Sequence, residues 1–297
     1  MYTHVPKQAT QNHSSHKYNS EVAEERAPKK GFIFSPFTTG DMYAMAVGLN
    51  MSRVLNKKSA LPLISSSEDE FQGLTKLKSE FSSDPNYEYW VSLGAKVFEM
   101  MKIGTGELRE SGVPKIDGES ERDTVRALGV FLAHKRTRVF KWHGAKLAAL
   151  KPNTTKVYLI GHGLPGENLL ADCSDGDYRS ITSAQVAAKI SASGIAKDIS
   201  DFRVSSCWSA DVKKLFSFQA LKDYSVAQIE EKPFGQHFAN ALESQGFSQA
   251  RVTGYHGAGL RFTDDSNMKN MRVITMNGRV VERARSSSVR RVFRPES

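Results

Sequence analysis

Lys156-Val157-Tyr158-Leu159-Ile160-Gly161-His162-Gly163 reads as a buried strand that stops abruptly at a Gly-His-Gly turn. A short apolar run of this kind settles as a strand where neighbours cover it on both faces, which is the environment of a parallel sheet. The residues downstream supply the neighbour. Thr182-Ser183-Ala184-Gln185 has the spacing of a capping box, and Val186 and Ile190 follow on one helical face. Asp201-Phe202-Arg203-Val204-Ser205-Ser206 is then the next strand, and it delivers Cys207 at its C-terminal end. A strand, a helix and a strand joined by a right-handed crossover predict two parallel, adjacent strands, with His162 and Cys207 together where α/β sheets gather reactive groups.

Outward from this unit the pattern continues. Arg138 to Trp142 alternates like a strand and runs into a turn at His143-Gly144. Pro233 precedes a helix over Phe234 to Ser244 that Gly246 stops, and Arg251 to Tyr255 is another strand. Met271 to Met276 and Arg279 to Arg283 flank Asn277-Gly278, the strongest short signal for a two-residue hairpin, here a β-flap. The expected fold class is α/β, a predominantly parallel sheet flanked by helices, over 124–285, with a basic tail at 286–297. Residues 31–123 read as a mainly helical N-terminal region, with Met42 to Val54 apolar and Ser65 to Glu70 a polar linker. Tyr89, Trp90, Leu93, Val97 and Met101 form its core-facing stripe. Residues 1–30 lack apolar periodicity and read as a flexible polar leader.

The composition narrows the function classes. With 39% apolar and 25% charged residues in 297, the chain has the balance of a globular protein. It contains no apolar run of about 18 residues, and its N-terminus lacks the hydrophobic centre of a cleavable secretory signal. Two cysteines, Cys173 and Cys207, fit a reducing compartment in which a thiol works as a thiol, a disulfide between them being the alternative. The net charge of +9 points to an anionic partner, and Arg279, Arg283, Arg285, Arg290, Arg291 and Arg294 are opposed only by Glu282. The scarcity of aromatic residues interleaved with these arginines, Phe293 being the single one, argues against single-stranded nucleic acid. No cluster has metal-ligand spacing.

The chemistry lies at the two strand tips. A thiol ordinarily ionises near pH 8.5, so Cys207 needs a neighbouring base or cation. His162 can take its proton and return it to a departing amine. The N–H groups of Gly163 and Cys207 are the expected oxyanion donors, glycine allowing close approach of a substrate backbone. His256 is expected to line the substrate wall, His237 and His143 to be structural, and Cys173 to be a spectator in its loop. The competing readings are a basic phosphoinositide- or nucleic-acid-binding module without catalysis, and a Cys-His deamidase or acyltransferase.

Leu159-Ile160-Gly161-His162-Gly163, Val204-Ser205-Ser206-Cys207 and Phe234-Gly235-Gln236-His237-Phe238-Ala239-Asn240-Ala241-Leu242, in that order, resemble the self-processing cysteine protease domain of MARTX toxins, a caspase-like family. In layout the chain is similar to OspB-type effectors that bacteria inject into host cells by type III secretion. The resemblance implies a caspase-like sheet and the His162–Cys207 dyad of a cysteine endopeptidase. It implies secretion without a cleavable signal, and action in the host cytosol on a host protein or on the chain itself. It also implies activation by inositol hexakisphosphate, bound in a basic cleft between core and flap, away from the dyad. Arg138 matches a ligand-contacting position of the family, and Lys269, Arg272, Arg279 and Arg283 are candidates by location. No metal and no nucleic acid are expected.

Overall fold

The structure, a computed structural model, describes residues 31–110, 112–141, 147, 150, 152, 154–173, 178–222, 231–262 and 269–296. The expected leader at 1–30 and the His143-Gly144 turn lie outside them. In chain order the first elements are β1 (Gly31–Phe34), α1 (Gly40–Leu55), β2 (Leu63–Ser65), α2 (Glu68–Glu80), α3 (Glu88–Ile103), α4 (Glu121–Arg136) and β3 (Val139–Lys141). Then follow β4 (Lys156–Leu159), β5 (Leu169–Ala171), β6 (Ser180–Thr182), α5 (Ser183–Ala192), β7 (Asp201–Val204) and α6 (Phe234–Ser244). The chain closes with β8 (Arg251–Tyr255), β9 (Ala258–Gly259), β10 (Met271–Met276), β11 (Arg279–Arg285) and β12 (Arg290–Phe293).

Seven strands form the central sheet in the order β12-β8-β7-β4-β1-β2-β3, parallel throughout except for β12, which runs antiparallel to β8. The crossover unit is as its residues predict: Thr182 and Gln185 close a complete capping box on α5, and β4 lies parallel to β7 with Leu159 opposite Val204. The two strands are two-faced. Val157, Leu159, Phe202 and Val204 are buried on one face, where Phe202 meets Phe238 of α6 and Phe247 edge-on at 6.1 and 5.6 Å. Tyr158 and Arg203 point to the other face, the guanidinium 5.6 Å over the ring.

Several expectations change once the chain is folded. The division at residue 123 runs through a single sheet, because β1 stands inside it between β4 and β2. All four residues of β1 are buried, so the period-two alternation that marks a half-buried strand is missing from its sequence. Ser65 to Glu70 is no linker. Ser65 ends β2, and Ser67 caps α2 by accepting the Glu70 N–H at 3.1 Å, with Glu68, Asp69 and Glu70 in the first turn where the helix dipole favours acids. In α3 the buried face is Val91, Leu93, Gly94 and Val97, whereas Tyr89 and Met101 are exposed. The basic tail contains β12, an edge strand that buries Phe293, exposes Arg290 and lays the half-buried Arg291 over the Phe293 ring, a charged edge that discourages further pairing.

The flap is the expected hairpin with β9 as a third strand. Asn277 and Gly278 have φ of 49° and 73°, the pair of positive values that a tight hairpin turn of matching twist requires. Among the described residues no helix is long and apolar enough to cross a membrane.

Candidate functional site

His162 follows β4, and its backbone exchanges two 2.9 Å hydrogen bonds with Ala171, which fastens it to the β5–β6 hairpin. Cys207 follows β7. A side chain on Gly163 would put its Cβ 2.8 Å from the Cys207 carbonyl oxygen and 3.1 Å from Ser206 Oγ, so glycine is what lets the two strand-tip loops touch. His162 and Cys207 accordingly line one groove of about 430 Å³ that runs over the Tyr158 and Arg203 face of the sheet, between Met45 and Leu49 of α1 and Arg272 of the flap. Among the described residues no acceptor stands against the N–H of Gly163 or of Cys207.

A third residue completes the imidazole's environment. His162 Nε2 lies 2.9 Å from Asp41 Oδ2. An ionised carboxylate only accepts, so Nε2 donates and the neutral ring keeps Nδ1 as its basic nitrogen. Asp41 is in the first turn of α1, whose cap Thr39 accepts the Met42 N–H at 3.4 Å and donates to the Asp172 carbonyl at 3.3 Å, tying the helix start to the hairpin that holds His162. Asp41 Oδ2 also receives Arg261 Nη2 at 2.8 Å, and Arg261 Nη1 donates to the Tyr87 hydroxyl at 2.6 Å. Burial raises the Tyr87 hydroxyl above its usual range, more than the Arg261 cation lowers it. Asp41 escaped the sequence reading because it precedes His162 by 121 positions; the one local signal was the Thr39-Gly40-Asp41 helix start.

Around the sulfur, Gly259 N–H donates to Cys207 Sγ at 3.4 Å. Trp208 has a left-handed φ of 56°, which a bulky residue holds only where its surroundings over-determine it. Its N–H donates to the Gly257 carbonyl at 2.9 Å, and its ring packs in a small cluster with Leu215, Phe218, Ile274 and Val289. His256 does not line the groove as expected. It is buried, with Nδ1 2.6 Å from Oδ1 of the fully buried Asp211, whose Oδ2 accepts the Gly257 N–H at 2.9 Å. Cys173 and Cys207 are not joined in a disulfide.

The groove is basic. Arg203, Arg261, Lys269, Arg272, Arg285 and Arg290 line it, and among the described residues no Asp or Glu does. Of the residues anticipated as anion contacts, Lys269 and Arg272 are here, Arg272 almost wholly buried. Arg138 is not: it precedes β3 at the opposite edge of the sheet and borders a separate depression with Lys78 and Phe71. Arg279 and Arg283 belong to β11 and do not line the groove. Arg285 and Arg290 come from the basic stretch read in the sequence, whereas Arg203 and Arg261 went unassigned because they lie in other segments that only the fold brings to it. The basic cluster was expected away from His162 and Cys207, and instead it shares a groove with them. Among the described residues no group of three or more His, Cys, Asp or Glu side chains is placed to hold a metal ion. Compared with known proteins, the chain matches no family model, no curated protein and no solved structure.

Proposed function

We propose that the protein is a caspase-like cysteine endopeptidase that uses Cys207 as nucleophile and His162 as general base and acid. The observation that carries the reading is the meeting of the two strand tips: Gly163 against the Cys207 carbonyl, with both side chains facing one open groove. In this mechanism His162 Nδ1 takes the thiol proton and the sulfur attacks the peptide carbonyl. The N–H groups of Gly163 and Cys207 hold the oxyanion, and the imidazolium returns its proton to the leaving amine. Water, deprotonated by the same imidazole, then releases the acyl group and restores the thiol. Asp41 keeps the ring in the tautomer this sequence needs.

The basic groove supports inositol hexakisphosphate as activator, held by Lys269, Arg285 and Arg290, because clustered phosphates need several cationic donors. The substrate on this reading is a host protein, or the chain itself, met in the host cytosol after bacterial secretion. The excess of cations in the groove also favours a second reading, a phosphoinositide-binding module without turnover.

The test incubates the purified chain at low salt with and without inositol hexakisphosphate, and follows self-cleavage and labelling by a fluorescent iodoacetamide. The peptidase reading expects ligand-dependent labelling that is lost in Cys207→Ala and kept in Cys173→Ala, together with new termini that mark peptide hydrolysis rather than deamidation or acyl transfer. Labelling carried equally by Cys173, or binding of the phosphate ligand with no covalent chemistry at Cys207, overturns it in favour of the binding module. Arg290→Gln is expected to weaken the ligand about tenfold and Arg138→Gln to leave it unchanged.

A further inference from the structure

Arg272 stands out among the cations of the groove because it is the one sealed inside the protein. On β10 it is only 4% exposed, its Nη1 donates to the Ser206 carbonyl at 2.7 Å, and its Cζ lies 4.5 Å from the centre of the Tyr255 ring. A guanidinium taken out of water is strongly unfavourable unless an anion and hydrogen-bond acceptors compensate it. Among the described residues no carboxylate lies within ion-pair distance of it. The buried acid of this region, Asp211, has its oxygens engaged by His256 and the Gly257 N–H.

The group that faces Arg272 is the nucleophile. Arg272 is the register partner of Gly259, and a Cβ on Gly259 would fall 3.1 Å from Arg272 Nη1. The N–H of the same Gly259 points at Cys207 Sγ, and the carbonyl that Arg272 holds belongs to the residue before Cys207. Burial pushes the guanidinium below its usual range, and the negative charge that Cys207 can carry opposes that most, ahead of Tyr255 and Asp211.

We propose that Arg272 is the counter-charge of the Cys207 sulfur, a positioning residue built to pair the thiolate rather than to bind a ligand in the groove. The inference rests on the peptidase reading and divides its labour. When the Sγ–H bond breaks, the proton goes to His162 Nδ1, and the electron pair stays on sulfur beside the guanidinium and the Gly259 N–H. The cation thereby acquires the anion its burial calls for. The other titratable groups around the sulfur are His162 from the β4 tip, Asp211 from the β7 loop, and Tyr255 and His256 from β8; Arg261 is already paired with Asp41.

A charge-sensitive alkylation experiment decides the matter. In a Cys173→Ala background, Cys207 is alkylated with anionic iodoacetate and with neutral iodoacetamide, and the ratio of the two rates is read by mass spectrometry. A cation against the sulfur favours iodoacetate. The ratio is expected to fall about tenfold in Arg272→Gln, and to persist in Arg272→Lys and in His162→Ala, because the charge concerned is not the imidazolium. Arg285→Gln and Arg290→Gln are expected to move it less than about twofold, since solvent screens those side chains. If Arg272→Gln does not fold, His162→Ala still decides: a ratio that collapses there overturns the proposal, as does an unchanged ratio in folded Arg272→Gln. An intact wild-type ratio without peptide hydrolysis would sink the peptidase reading alone.

Discussion

Two histidine–carboxylate pairs lie within the same end of the sheet and differ in what surrounds them. His162 and Asp41 meet at 2.9 Å with side chains 19% and 28% exposed, and His162 lines the groove. His256 and Asp211 meet at 2.6 Å with 8% and 0% exposed, away from the groove. The chemistry of the partners is the same, and the solvent decides their use. A wet pair bordering a cavity can exchange protons with a substrate. A dry pair holds loops in place, here the one after Cys207 and the one that leads to Gly259, whose N–H reaches the sulfur. The tips of β4 and β8 each carry a histidine beside a glycine, so local sequence alone does not separate the two.

The largest effect expected from this contrast is on stability. Asp211→Ala removes the carboxylate from a buried histidine and the acceptor of the Gly257 N–H, so it is expected to destabilise the fold by about 3–5 kcal/mol in urea unfolding. Asp41→Asn is expected to do the reverse: less than about 1 kcal/mol in stability, and about a hundredfold slower turnover at Cys207, because the ring loses its tautomer control. Equal stability losses in the two variants would break the comparison.

A third histidine sharpens it. Among the described residues no carboxylate pairs with His134; its Nδ1 lies 3.1 Å from the Tyr43 hydroxyl and its ring stacks on Phe81. Burial, and then the charges of Lys78 and Lys135, lower it to about 4 from an ordinary 6.5. As pH falls from 6.5 towards 4 the unfolded chain takes up this proton before the folded one, so the stability contributed by the neutral buried ring is complete above about 6.5 and is lost on acidification. The smallest of the expected effects is therefore a drop in urea midpoint between pH 7 and pH 4.5 that is reduced in His134→Gln.

What was legible in the sequence is what short segments decide. The capping box at Thr182, the Asn277-Gly278 hairpin, the α6 helix between Pro233 and Gly246 and the two strands ending at His162 and Cys207 each depend on a handful of neighbouring residues. Their order then set the tips of β4 and β7 side by side through the handedness of one crossover. The same local reading misjudged β1, whose buried run shows no alternation, and Ser67, whose cap resembled a loop.

The sequence by itself determined the sheet's parallel core, the strand tips that carry His162 and Cys207, and an excess of cations in need of an anion. Only the tertiary structure decided that Asp41 from the first helix would serve the histidine, that Arg272 would be sealed behind the sulfur, and that Arg138 would stand at the far edge of the sheet. The physical reason is that backbone propensity and periodicity act over a few residues, whereas burial and charge pairing act between whichever residues the packed fold brings within a few ångströms of each other.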